Sequence, residues 1–146
     1  MSLDRSFIEQ NRAATERIRR LGALSEAELQ TRVGEHWTAS IALAHLAFWE
    51  WRVLMVLDRT EADGKLYAPQ LDTVINDLSL PLWAAVPPRE AARLALEAAD
   101  AVDACLETYP ATWLERVYVF NARWVERYQH RNEHLDDVAA ALGKKI

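Results

Sequence analysis

The stretch Thr38-Ala-Ser-Ile41-Ala-Leu-Ala44-His45-Leu-Ala-Phe48-Trp49-Glu50-Trp51-Arg-Val-Leu-Met55-Val-Leu-Asp58 decides the fold class. It contains no glycine or proline, and Thr38 carries a hydroxyl of the kind that caps a helix start. Ile41, Ala44, Phe48 and Met55 recur at steps of three, four and seven, one stripe of a helix that turns about 100° per residue. The spacing predicts a helix from Thr38 to about Asp58, with this stripe in the core and His45 toward its margin.

Working outward, Leu3, Phe7, Ala14, Ile18 and Leu21 form a comparable stripe on a first helix over about 3–21, with Gly22 as its stop. Ser25-Glu-Ala-Glu28 has the capping-box pattern and should open a short helix that ends near Gly34. Between Asp58 and Pro88 the pattern breaks at Gly64, Pro69, Pro81 and Pro87-Pro88. That span is too long for a structureless loop, so a short helix around Asp72 to Leu80 is expected, making a crossover over the other helices. Pro88 suits the first turn of a third long helix, to about Tyr109, whose stripe of Ala91, Ala95, Ala98, Val102 and Leu106 allows close approach. Pro110 stops it. A fourth helix is expected from Ala111 or Thr112 to Leu142, with Val117, Phe120, Trp124, Tyr128, Leu135, Val138 and Leu142 on one face and Gly143 as the stop. Strand-like alternation and internal repeats do not stand out. The reading is all-α: one four-helix-bundle domain over 1–146, with a long crossover between the second and third long helices.

Composition agrees. A chain of 146 residues with 51% hydrophobic and 27% charged residues reads as globular. The net charge of −5, with no basic block beyond Lys144-Lys145, argues against nucleic acid, which demands a concentrated basic patch. No apolar run reaches the roughly eighteen residues that span a bilayer. Residues 1–7 lack the basic and apolar regions of a signal peptide. The single Cys105 makes no internal disulfide, so a cytoplasmic location is expected.

The chemistry concentrates in the histidines. His130 and His134 stand four apart in Arg127-Tyr-Gln-His130-Arg-Asn-Glu-His134-Leu, on one helical face with Cβ atoms roughly 5–6 Å apart. A third imidazole from a partner helix, His45, would leave three nitrogen ligands and an open position on a metal ion. The competing reading makes His45 a satisfied core residue and the pair a chance spacing on a charged helix. His130-Arg-Asn-Glu-His134 also lacks the acid placement of the zinc-protease motif. His36 is expected at the surface or as a cap. Glu126 and Glu133 could serve the site as orienting groups or a general base, or be surface carboxylates. Cys105, on the alanine-rich stripe, is expected to be packed rather than nucleophilic.

The segment Gly34-Glu-His-Trp37-Thr38-Ala-Ser-Ile-Ala-Leu-Ala-His45-Leu-Ala-Phe-Trp49-Glu resembles the signature of the DinB-like superfamily, which includes the N-terminal domain of mycothiol-dependent maleylpyruvate isomerase. His130 to Leu135, followed by Asp136-Asp137-Val138, is similar to the last helix of that group. Val74-Ile-Asn76-Asp77 through Leu82-Trp83 to Pro87-Pro88 resembles its crossover, so the resemblance covers nearly the whole chain. It implies an up-down-down-up four-helix bundle that holds zinc or nickel on His45, His130 and His134, and a homodimer. The six tryptophans read mostly as core, with Trp49 or Trp51 as candidates for a dimer interface. The resemblance also implies activation of a low-molecular-weight thiol for transfer or isomerisation, or alternatively metal-dependent hydrolysis. In the hydrolase reading of this chain, Glu126 or Glu133 is the proton shuttle. A binding or stress-response module without turnover is the third alternative. Substrate contacts on a small molecule are expected from Asn76, Trp83, Arg123 and Arg127, although Trp83 could instead pack and the arginines be solvated.

Overall fold

The computed structural model describes residues 3–146. Among them, seven α-helices and one two-stranded hairpin succeed one another: α1 Phe7–Leu21, α2 Glu26–Leu29, β1 Arg32–Val33, β2 Trp37–Thr38, α3 Ala39–Asp63, α4 Val74–Ala84, α5 Pro88–Glu107, α6 Ala111–Phe120 and α7 Tyr128–Leu142. The fold is all-α in class. The long helices pack in sequence around a common interior: α3 along α5, α5 against α1, α1 against α7, and α7 back on α3. Helix α4, in the connection between α3 and α5, lies on α3.

Local chemistry explains most boundaries. Thr38 caps α3 by accepting the Ile41 N–H at 3.1 Å, and the helix ends at Gly64, whose φ of 66° is the left-handed conformation that glycine takes without strain. Ser25 and Glu28 form the reciprocal capping box of α2. That helix stops at Leu29, well before Gly34, because the chain turns into the hairpin. Arg32 pairs with Thr38 and Val33 with Trp37, across a turn in which Gly34 takes φ 71°. Strands of two residues leave no alternation to read.

Three further expectations change. The anticipated fourth long helix is two helices, α6 and α7, separated by a 3₁₀ turn over Ala122–Trp124. Asn121 makes the break: its backbone is extended, and its side-chain oxygen accepts the Arg123 N–H at 3.1 Å. The change in direction leaves Phe120 54% exposed while Val117 and Trp124 are buried. On α3, Met55 is 48% exposed and the core is made instead by Val53, Val56 and Leu57, while His45 is buried outright. Finally, α3 is long and apolar enough to cross a membrane, but 67% of its most apolar window is buried inside the protein, the position of a core helix.

The interior is layered. One apolar cluster gathers Ile18, Leu43, Leu46, Ala95, Trp83 and Leu135, and a second gathers Phe7, Val53, Leu57, Val102, Leu106 and Val125. The buried polar residues Asn11, Thr15, Glu50, Asp103, Arg127 and Arg131 lie between them along α1, α3, α5 and α7. The histidines stand beside this polar layer.

Candidate metal centre

His45 comes from the buried face of α3, and His130 and His134 from successive turns of α7. The Nε2 atoms of His45 and His130 face each other at 3.2 Å, and the ligating nitrogens of all three rings lie within 4.8 Å of one another. Bonds of about 2.0–2.1 Å in a tetrahedral site put neighbouring nitrogens about 3.3 Å apart, so the facing pair already has the spacing of two ligands on one ion. The widest separation exceeds that edge, so the rings must draw together around an ion.

The surroundings keep the rings neutral. Burial pushes His45 down to about 3, helped by His134 and opposed by Asn76. Burial also pushes His130 down to about 2, with Arg127 and the neighbouring histidines adding to it. His134 is lowered by burial too, against the carboxylates of Asp137 and Glu133. A neutral imidazole is the form that ligates a metal. The Nδ1 atom of His45 is buried without a hydrogen-bond partner, and Arg127 Nη2 lies 3.3 Å from His130 Nδ1. A guanidinium only donates, so this contact suits a His130 Nδ1 that accepts.

Aromatic rings wall the site. Trp37, set by the hairpin immediately before α3, stacks on His134 with centroids 5.4 Å apart and planes at 23°. It also leans on His45 at 4.7 Å. Trp83 from α4 meets His45 edge-on at 5.2 Å. Trp83 thus packs against the His45 ring and is buried. Asn76 accepts the Trp49 indole N–H at 3.0 Å, which ties α4 to α3.

The charged residues divide. Arg127 is not solvated: it is buried and paired with Glu50 at 3.0 Å, beside His130. Arg123 is at the surface, with its two Nη atoms each 2.9 Å from an oxygen of Glu133. Glu126 accepts from the Tyr118 hydroxyl at 3.2 Å and from the Gln129 amide at 2.5 Å. His36 is 76% exposed at its side chain, and Cys105 is half-buried with its thiol pushed up to about 11 by burial.

Sequence reading missed the network behind the site. Arg131, between the two histidines of α7, is fully buried and donates to both oxygens of Glu50, at 2.9 and 3.0 Å, and to Asp103 at 2.9 Å. Burial alone would drive the Glu50 carboxyl up, but the guanidiniums of Arg127 and Arg131 overcome it and hold Glu50 at about 2. Arg127 thereby connects the Glu50 network to His130. The available signal was Glu50, the one carboxylate of α3 before Asp58, set in its apolar first half. Comparison of the chain with protein-family models, with curated proteins and with solved structures finds no match.

Proposed function

We propose that this chain is a divalent-metal protein of the DinB-like type, an up-down-down-up four-helix bundle in which His45, His130 and His134 hold zinc or nickel. It acts on a small molecule through a low-molecular-weight thiol, by S-transfer or isomerisation. The observation that carries the reading is the convergence of three neutral, largely buried imidazoles from two helices. Imidazole nitrogens suit both zinc and nickel. A divalent ion on three neutral ligands keeps its full charge and lowers the pKa of a bound thiol or water, supplying an anionic nucleophile near neutral pH.

The chain's own residues favour a thiol over water. Hydrolysis asks more of a nearby base, yet Glu133 is tied at both oxygens by Arg123 and Glu126 is held by Tyr118 and Gln129. A thiol, with an ordinary pKa of about 8.5, needs less help to ionise. Cys105 does not supply it, because burial suppresses its ionisation. The thiol therefore comes from solution. Trp37 and Trp83 shield two of the ligand rings from water and fix their orientation. A homodimer in a reducing, cytoplasmic compartment completes the proposal.

Purified protein should carry close to one zinc or nickel ion per chain by elemental analysis, and His45→Ala or His134→Ala should abolish it. Wild-type protein that is metal-free and refuses both added ions sinks the centre. With metal bound, turnover of a model electrophile that requires added thiol supports the transferase reading. Thiol-independent hydrolysis would replace it with the hydrolase, and metal binding without any turnover with a binding module.

A further inference from the structure

Arg52, on α3, is a cation whose position the metal centre does not explain. Its guanidinium lies over the indoles of Trp49 and Trp124, 5.4 and 4.8 Å from their centroids. Nη2 donates to the Pro69 carbonyl at 2.9 Å, Nε is buried without a partner, and Nη1 makes no hydrogen bond to the protein. No carboxylate pairs with Arg52 among the described residues. The nearby arginines are different: Glu50 balances Arg127 and Glu133 balances Arg123. Burial lowers the pKa of Arg52 and the Arg127 charge adds to this, so the guanidinium sits where a positive charge is poorly tolerated. A half-buried cation without a counter-ion is costly, and an anionic ligand relieves that cost.

Arg52 also borders two adjoining clefts. The larger, about 550 Å³, is lined by Arg52, Pro69, Gln70, Phe120, Asn121 and Trp124. The smaller, about 160 Å³, shares Arg52, Asn121 and Trp124 and reaches Arg127 and His130. Together they lead from the α3–α4 crossover to the metal-centre histidine. A volume of this size suits a small organic molecule. Asp72, the acid on the outer cleft, is engaged in accepting the Val74 N–H at 2.9 Å.

We propose that this cleft binds the carboxylate of a small organic substrate on Arg52 Nη1, with the apolar body of the molecule along Trp124 and Phe120 and its other end toward His130. One unbalanced positive charge and one open guanidinium edge match a monoanion better than a phosphate dianion. The orientation toward His130 rests on the function proposed above. The anion site itself does not.

The test uses the full chain after chelator treatment, with benzoate as probe, benzamide as its neutral isostere, and intrinsic tryptophan fluorescence as the readout. Benzoate should bind saturably and at least tenfold more tightly than benzamide. Arg52→Met should weaken benzoate at least tenfold and Arg52→Lys less, with zinc stoichiometry unchanged in both. Equal binding of the two probes, absence of saturable benzoate binding, or wild-type affinity in Arg52→Met overturns the site. Inorganic phosphate binding more tightly than benzoate overturns the carboxylate assignment. The probe comparison on wild-type protein decides the matter even where Arg52→Met fails to fold. Arg52-dependent benzoate binding in a protein that takes up neither zinc nor nickel would keep this site while removing the metal centre.

Discussion

Glu50 shows how much a single buried charge can organise. It accepts from Arg127 and Arg131, and Arg131 reaches on to Asp103 and to Thr15, whose hydroxyl donates to Asp103 at 2.5 Å. Removing one member of such a set strands the others away from water, which costs about 3–5 kcal/mol. Glu50→Gln should therefore destabilise the protein by that order in urea unfolding. Arg123→Ala, which breaks an exposed ion pair of comparable distance, should cost less than about 1 kcal/mol. Equal effects would mean that Glu50 is not buried as described. In sequence, Arg123 and Arg127 look alike, four apart on a charged segment. Burial separates them, and burial depends on where Asn121 turns the chain. The histidine pair was legible because helical spacing is local. Arg131, between its members, was not, because its partners come from three other helices.

At the scale of elements, α7 begins without a local cap: Arg127 is already helical in backbone and offers no capping side chain. The cap comes from α1. Asn11 Oδ1 accepts the Tyr128 N–H at 2.9 Å, and its amide donates to the Val125 carbonyl at 2.9 Å. One side chain thus satisfies both sides of the turn that delivers His130. Asn11→Ala would leave these buried groups without their partner, at about 1–3 kcal/mol for an unsatisfied group. The same variant should bind zinc more weakly, because the first turn of α7 carries His130. Calorimetric zinc titration beside urea unfolding checks this, and unchanged values in both would refute the capping role. Helices with caps nearby in sequence, such as α3 behind Thr38, could be placed from sequence. The start of α7 could not, since its capping residue lies more than a hundred positions earlier and looks like a polar interruption of the α1 stripe.

Across the whole molecule, periodicity gave the helical class and the positions of α1, α3 and α5, because each of those helices buries one face at helical spacing even where a polar residue such as Asn11 interrupts it or, as at Met55, the expected stripe is displaced. It failed where the chain bends for tertiary reasons, at Asn121 and in the hairpin of Trp37. It could not reveal that two apolar clusters are separated by a charged layer beside three neutral histidines. That arrangement has a measurable consequence for stability. Unfolded histidines titrate near 6.5, whereas His45 and His130 are held at about 3 and about 2 in the fold. Between those values the unfolded chain binds more protons, so acidification destabilises the metal-free protein, by about 1.4 kcal/mol per histidine for each pH unit well below 6.5. Glu50, depressed to about 2, adds to the loss once the pH falls below its ordinary value. On the proposed metal site, a bound divalent ion would act in the opposite sense, since it would bind only where the three rings meet. At a free concentration one hundred times its dissociation constant it stabilises by about 2.7 kcal/mol, which for a chain of this length raises the melting midpoint by about 5–10 °C. Thermal unfolding followed by circular dichroism at pH 7.5, and again at pH 5.5, should show this rise for wild-type protein with zinc and none for His134→Ala. The metal-free midpoint should be clearly lower at the acid pH. A zinc shift of equal size in His134→Ala would place the ion elsewhere on the surface, and a midpoint that does not fall with acid would mean that the histidines are not buried as neutral rings.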